Sequence, residues 1–368
     1  MPLTDVVLSA AVMTHPSRAE RAYRLRAAHP DLDLQVVVDP EPDGPPTAWR
    51  TARAAWAAVP SRATHHLVVQ DDVLLAAGTR DWLLGAIRAR PHEALCLFVE
   101  WGARTAHAVR VAALLGQGWT AVVDDYVPCV ALVLPAEVAR GYDAYALAET
   151  SPDTPDDVVL RKYLARAEMT AVAPTRGPVE HDTDTSLVGN SVMGLRRAVS
   201  FGGDDAPAPS SPCLPALDQV PYYDWWDQQA ALFIPDATTE DGWARLRGGP
   251  ALARFGMTPA RLSDECGRLL RALAGAPRLL DVVSRILVDE IYFVSFLVGA
   301  IARSTGPVVP FPGDPVATAA LATLPHGALR RVLPAHRLDE VAELLGPVVE
   351  AGVRHGVRHV VERPARTG

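Results

Sequence analysis

HHLVVQDDV, residues 65 to 73, sets an apolar run directly before two adjacent carboxylates, Asp71 and Asp72. The run reads as a buried strand over His66 to Val69, and the acids fall at its carboxyl end. Burying an unpaired carboxylate costs on the order of several kcal/mol. Such a pair therefore turns into solvent as part of a loop, meets a base, or holds a cation. Hard divalent ions take oxygen ligands and bridge protein carboxylates to substrate phosphates.

Outward from this stretch, strand and helix patterns alternate. Asp5 to Met13 (DVVLSAAVM), Leu34 to Val38 (LQVVV), Leu95 to Val99, Val130 to Leu134 (VALVL) and Thr170 to Ala173 read as further strands. Helical spacing marks Pro16 to Ala28, Ala48 to Val59, Asp81 to Arg90, Ala106 to Leu115 and Pro155 to Arg166. Such alternation predicts an α/β, Rossmann-like layer with a mostly parallel sheet flanked by helices. In these sheets ligands bind beyond the carboxyl ends of the strands. Asp39, after the second strand, and the Asp71–Asp72 pair both lie there.

Residues 202 to 221, GGDDAPAPSSPCLPALDQVP, form a Pro-, Gly- and Ser-rich stretch. It divides the chain into an α/β domain over 1–201 and a mainly α-helical domain over 222–368. Helices are expected over Thr239 to Leu246, Pro259 to Ala274, Pro277 to Ala302 and Leu338 to His355. The apolar stretch Ile291 to Ala302 is too short to span a bilayer and closely follows Arg285, Asp289 and Glu290, so it predicts a buried helix. It finds cover within its domain, against the first, or in a homodimer. Tyr222 to Trp226, YYDWW, reads as an aromatic anchor between domains rather than a ligand platform.

The 368 residues suit two domains, with 49% hydrophobic and 21% charged residues. A formal net charge of -8 argues against a nucleic-acid partner, whose phosphates want a basic face. The four cysteines form no C-x-x-C pair, and Cys96 and Cys129 read as small buried hydrophobes. The first residues lack a signal-peptide layout, so a cytoplasmic location is expected.

Two more segments have the residue types for chemistry. VEHDTDTSLVGN, residues 179 to 190, places His181 in an Asp-rich loop, where a neutral imidazole suits Mn²⁺. Asp182 and Asp184 are further ligands there or caps of the next turn. In SPDTPDDVVLRKYL, residues 151 to 164, Thr154 reads as an N-cap, Pro155 as the first helical residue and Asp157 as the capping-box acid. Capping accounts for Asp156 less directly, and one of the two carboxylates is a candidate base.

In order and spacing these pieces resemble the GT-A-type glycosyltransferases over about residues 3 to 195. The family places a D-x-D-like motif after a core strand, an acid at the start of a later helix, and often a late His. The resemblance implies a nucleotide diphosphate sugar donor and a divalent cation, Mn²⁺ or Mg²⁺, held by Asp72 and His181. Here Gln70 stands where a strict D-x-D has its first acid. It further implies that Thr14, His15, Arg18, Asp39 and Asp71 line the donor site, and that Asp156 or Asp157 is the acceptor-side base. Arg50 and Arg53 are candidates for the diphosphate or members of a solvated helix face. Glu100, Trp101 and Asp125 are candidates for the acceptor side. A nucleotidyltransferase shares such a sheet and metal site but favours a Gly-rich, basic loop after the first strand; Ala10 to Arg18 has no glycine. A binding or scaffold protein with a degenerate transferase domain is the reading from another class.

Overall fold

The computed structural model describes residues 5–182, 190–203, 208–239 and 241–362. The chain clusters into two compact units. The first comprises Met1–Val99, Gly118–Val192 and Phe201–Pro212; the second comprises Glu100–Gln117, Met193–Ser200 and Cys213–Gly368.

The first unit is α/β. Its strands are β1 (Leu8–Thr14), β2 (Gln35–Val38), β3 (His65–Gln70), β4 (Val73–Leu75), β5 (Ala94–Cys96), β6 (Trp119–Ala121), β7 (Ala131–Pro135), β8 (Ala171–Pro174) and β9 (Val179–His181). Seven of them lie side by side in one mixed sheet in the order β6-β8-β5-β7-β3-β1-β2. β1, β2 and β3 are parallel, as are β5 and β8, while β7 runs antiparallel to β3 and β5, and β6 to β8. Most strands thus share one direction. The VALVL strand, expected in a largely parallel sheet, is inserted with reversed sense. The reversal brings the loop that precedes β7 to the carboxyl end of β3, where the Gln70 amide donates to the Val130 carbonyl at 2.9 Å.

β3 is buried from His65 to Val69, as its apolar run demands. Its two histidines serve packing. His66 meets Ser9 Oγ at 2.8 Å and the Ala55 carbonyl at 3.0 Å, and burial lowers the pKa of both rings. The helices of this unit are α1 (Ala19–Ala28), α2 (Trp49–Ala57), α3 (Thr79–Ala89), α5 (Ala136–Glu149) and α6 (Asp156–Arg166); α4 (Arg104–Leu114) belongs to the second unit. Trp56 of α2 fills the space between His66 and Tyr142 of α5, with ring centroids 5.9 and 6.2 Å away. β4 and β9 pair antiparallel as a small two-stranded ribbon, Val73 opposite His181.

The second unit mixes helices with a short sheet. After β10 (Cys213–Leu214), β11 (Val220–Asp224), β12 (Gln229–Pro235) and β13 (Trp243–Arg247) form an antiparallel sheet. The YYDWW segment is the end of β11 and its turn. Tyr222 packs on His107 and Phe233 of the same unit at 5.6 and 5.4 Å. The helix expected over Thr239 to Leu246 is instead a turn and β13: Asp236 accepts from the Thr238 amide, Gly242 adopts φ +79, and the chain returns along β12. α7 (Gly248–Ala253), α8 (Pro259–Ala272), α9 (Ala276–Leu280), α10 (Arg285–Thr305), α11 (Pro315–Ala322), α12 (Leu324–Leu329) and α13 (Ala335–Glu362) follow. The single helix expected over Pro277 to Ala302 is two, because Ser284 is extended and its hydroxyl caps the start of α10 through the Leu287 amide at 3.4 Å.

α10 is buried without a break from Ile291 to Ala302, within its own unit, against α13, α8, α4, β11 and β12. No helix among the described residues is long and apolar enough to cross a membrane. The α10–α13 crossing is close because glycines remove the side chains between the backbones. A Cβ on Gly299 would stand 2.1 Å from the Val353 carbonyl oxygen, and one on Gly356 would stand 2.1 Å from that of Phe296. Gly346, also in α13, has nothing within 4 Å. We expect Gly299→Ala to cost about 2–3 kcal/mol, since an overpacked core must shift backbone. Gly346→Ala should cost less, within about 1 kcal/mol of neutral, because the gain in helix propensity is opposed by crowding from the next residue, Pro347. Thermal melts of the two variants check this, and equal melting temperatures would contradict the crossing.

Candidate functional site

At the carboxyl ends of β1 and β3 the first unit gathers acids, a histidine and an arginine. Thr14 closes β1 and donates its hydroxyl to Asp71 Oδ2. Burial pushes the Asp71 carboxyl above its usual value; the Thr14 hydrogen bond opposes this and the Asp72 charge reinforces it. Asp72 is 9% exposed and His181 4%, although 109 positions separate them in sequence. The β4–β9 ribbon joins them: the Asp182 amide donates to the Asp72 carbonyl at 2.7 Å, and His181 Nε2 stands 3.4 Å from Asp72 Oδ2. Neither ring nitrogen of His181 makes a hydrogen bond among the described residues. Phe98 packs against the ring with centroids 5.7 Å apart.

Arg18 is the last residue of the short 3₁₀ turn Pro16–Arg18 and the N-cap of α1. Its Nη1 lies 3.6 Å from Asp71 Oδ1 and 3.5 Å from Asp72 Oδ2. Arg21, one turn on, faces Asp182 at 3.8 Å. His15 turns aside to Ser17 Oγ at 2.8 Å and the Pro42 carbonyl at 3.3 Å.

Asp39 and Arg50, both expected at the donor, grip each other. Arg50 Nε and Nη2 meet the two oxygens of Asp39 at 3.2 and 3.1 Å, and Nη2 also donates to the Glu41 carbonyl. Burial raises the Asp39 pKa, but the Arg50 hydrogen bonds, the Glu41 amide and the Arg50 charge outweigh it and leave the carboxyl below its usual value. This two-pronged pair fixes the loop after β2. Arg53 is paired with Asp143 of α5 at 2.7 Å and lies over the Trp49 ring.

α6 begins without the capping box read from the sequence. Pro155 is its N-cap and Thr154 makes no side-chain cap. Proline fixes an extended entry, so Asp156 and Asp157 both fall in the first turn, where the helix dipole favours acids. Asp157 Oδ1 accepts from the next amide, Val158, at 2.7 Å. Asp156 is buried, and the Cys129 thiol donates to its Oδ2 at 3.6 Å. Burial raises the Asp156 pKa; burial and the neighbouring Asp156 charge push Asp157 up to about 6. Exposed Asp125 adds to that push. Cys129 adjoins Val130, the residue hydrogen-bonded to Gln70, so Asp156 lies one strand over from the Asp71–Asp72 end of β3.

In the sequence Cys129 reads as a small buried hydrophobe. It is half-buried against a carboxylate, and burial with the Asp156 and Asp157 charges holds it as a neutral thiol. Tyr142 of α5 faces the same acids. Burial, then the Asp156 charge, raises its pKa, and its hydroxyl has no hydrogen-bond partner among the described residues.

Glu100 and Trp101 belong to the second unit. Glu100 pairs with Arg330. Trp101 is 3% exposed, donates to the Leu195 carbonyl at 3.1 Å and stacks on His326, so it offers no open face to a ligand. Asp184 lies outside the described residues. Among the described residues no group of three His, Cys, Asp or Glu is placed to hold a metal ion; Asp72 and His181 supply two donors. No protein-family model and no curated protein matches the chain.

A carboxyl raised in the folded state stabilises the fold when protonated, and that contribution is lost as pH rises through its folded pKa. For Asp157 the window runs from the model-peptide value of 3.8 to about 6. Asp157→Asn keeps the oxygen that accepts from Val158 and removes the ionisation. We expect it to raise stability by about 3 kcal/mol at pH 8, at about 1.4 kcal/mol per pKa unit over this window, with the gain vanishing below about pH 4. Denaturant melts across this range check it, and a gain independent of pH would exclude ionisation as the cause.

Proposed function

We propose that the first unit binds a nucleotide diphosphate sugar and transfers its sugar to an acceptor hydroxyl with the help of a divalent cation, Mn²⁺ or Mg²⁺. One observation supports this above the others: the approach of Asp72 Oδ2 and His181 Nε2 to 3.4 Å, with both ring nitrogens of His181 lacking hydrogen bonds among the described residues. A buried imidazole ordinarily satisfies at least one nitrogen. An oxygen and a nitrogen donor side by side suit Mn²⁺, and two protein ligands leave positions for phosphate oxygens. The resemblance to GT-A-type glycosyltransferases assigns these two residues the same role.

Asp72 and His181 would hold the cation, which when bound supplies positive charge against the departing diphosphate. Thr14 and Arg18 line the same strand end. Asp157 is the acceptor-side base. Its pKa of about 6 leaves it ionised at neutral pH yet basic enough to take a proton. The acceptor oxygen bonds to the anomeric carbon as that carbon's bond to the diphosphate oxygen breaks. The diphosphate keeps the electron pair, and the hydroxyl proton passes to the Asp157 carboxylate. Asp156, held by the Cys129 thiol, supports Asp157 from the buried side.

Calorimetric titration with nucleotide diphosphate sugars, with Mn²⁺ and with EDTA, tests the reading. We expect donor binding only with metal, and a loss of at least about tenfold in Asp72→Ala and His181→Ala. Asp157→Asn should bind donor normally and turn over about 10²–10⁴ times more slowly. Donor that binds equally well in EDTA would remove the metal role, and an unchanged rate in Asp157→Asn would remove the base.

A further inference from the structure

The second unit buries two arginines beside one carboxylate. Arg110 of α4 is 0% exposed, and Arg330, at the end of α12, is 4% exposed. Glu100 pairs with Arg330, and its charge also acts on Arg110. Burial pushes the Arg110 pKa down to about 9 and the Glu100 charge opposes this, so the guanidinium stays charged at neutral pH. Arg330 lies over the Trp225 ring at 4.2 Å. Two cations therefore share a single carboxylate away from water, where an uncompensated charge is costly.

The hydrogen bonds are unbalanced in the same sense. Arg110 Nε donates to the Ala320 carbonyl at 3.0 Å, and Nη2 donates to the Trp101 carbonyl at 2.8 Å and to Thr323 Oγ1 at 3.2 Å. Arg110 Nη1, Arg330 Nε and the hydroxyl of Ser200, itself 5% exposed, have no hydrogen-bond partner among the described residues. These groups belong to one neighbourhood. Ser200 follows Val199, whose carbonyl accepts from Thr323 Oγ1 at 2.7 Å, the same oxygen that meets Arg110. The Trp101–Gly102 peptide lies between the guanidiniums: its carbonyl takes Arg110, and a Cβ on Gly102 would stand 3.2 Å from Arg330 Cζ. Buried polar groups are ordinarily satisfied, and each of these three can donate. A water would accept from them but bring no charge. An anion answers both deficits.

We propose that Arg110 Nη1, Arg330 Nε and Ser200 Oγ bind a buried monovalent anion, chloride, which fastens α4 to the α11–α12 segment. Chloride fits on three counts. Its single charge matches the excess of one cation over the carboxylate. It accepts N–H and O–H from any direction, so it serves donors carried by three separate segments. It is monatomic, and a site this deeply buried suits it better than phosphate or a carboxylate, whose further oxygens need donors of their own. The site shares no residue with the strand-end acids of the first unit, so it stands whether or not that unit transfers sugar.

The test follows the melting midpoint of the full-length protein as potassium gluconate is replaced by potassium chloride at constant ionic strength. Gluconate has the same charge and is too large for a monatomic site. We expect the midpoint to rise by about 3–8 °C between about 5 and 500 mM chloride, the mass-action gain for millimolar affinity. Bromide should act as chloride does. The dependence should vanish in Arg110→Met. In Ser200→Ala it should move to at least about tenfold higher chloride, the loss of one hydrogen bond to a charged group. If Arg110→Met does not fold, crystals of the parent protein grown in bromide decide, and we expect an anomalous peak in contact with Arg110 Nη1. No rise in the parent protein, a rise unchanged in Arg110→Met, or bromide crystals with no peak at Arg110 overturns the site. An unchanged chloride requirement in Ser200→Ala removes the hydroxyl from it.

Discussion

A carboxylate removed from water must be answered by charge or by donors, and at the end of β3 that requirement shapes its surroundings. Asp71 takes the hydroxyl that ends β1, and Asp72 takes a histidine delivered by β9. The backbone of Asp72 is held independently of its side chain, through the Asp182 amide and the β4–β9 ribbon. The acid is thus positioned by main-chain pairing as well as by the ion pairs of its side chain. A site that relied on such ion pairs alone for positioning would lose its shape each time a ligand displaced them.

The reversed strand β7 serves the same end of the sheet. A parallel strand there would have put its preceding loop at the far edge. Running opposite to β3, it places Cys129 and Val130 beside Gln70, and through the Cys129 thiol it reaches the first turn of α6. Asp156 and Asp157 consequently belong to a corner that no local stretch of sequence encodes. Their raised pKa values follow from burial at the helix start, reinforced for Asp157 by the Asp156 charge and opposed by backbone amides and, for Asp156, the Cys129 thiol.

What the sequence made legible was local. The runs of β1, β2, β3 and β8 announce themselves because apolar strand formers sit together, and the acids that follow them are part of the same few residues. Strand direction was not legible, since VALVL reads alike either way and only its neighbours decide. The stretch Thr239 to Leu246 misleads because its polar and apolar residues also fit a helical spacing; the Asp236 turn and Gly242 decide for a hairpin. Asp157 reads as a capping-box acid because Thr154 stands three positions earlier, but Pro155 takes the cap position itself. Cys129 and Tyr142 left no signal, because each meets the acids of α6 across the fold, with Asp156 lying 27 and 14 positions further along the chain.

The glycine-lined crossing of α10 and α13 also bears on how the protein is made. The apolar face of α10 leaves the ribosome before the partner helix that covers it, and α13 ends 57 positions after α10 does, from Thr305 to Glu362. At about 5–20 residues per second, that surface waits on the order of several seconds for its cover. Throughout that interval the face that α13 covers in the folded unit lacks that partner helix. Slowing synthesis downstream of residue 305 would lengthen the wait without altering a single native contact.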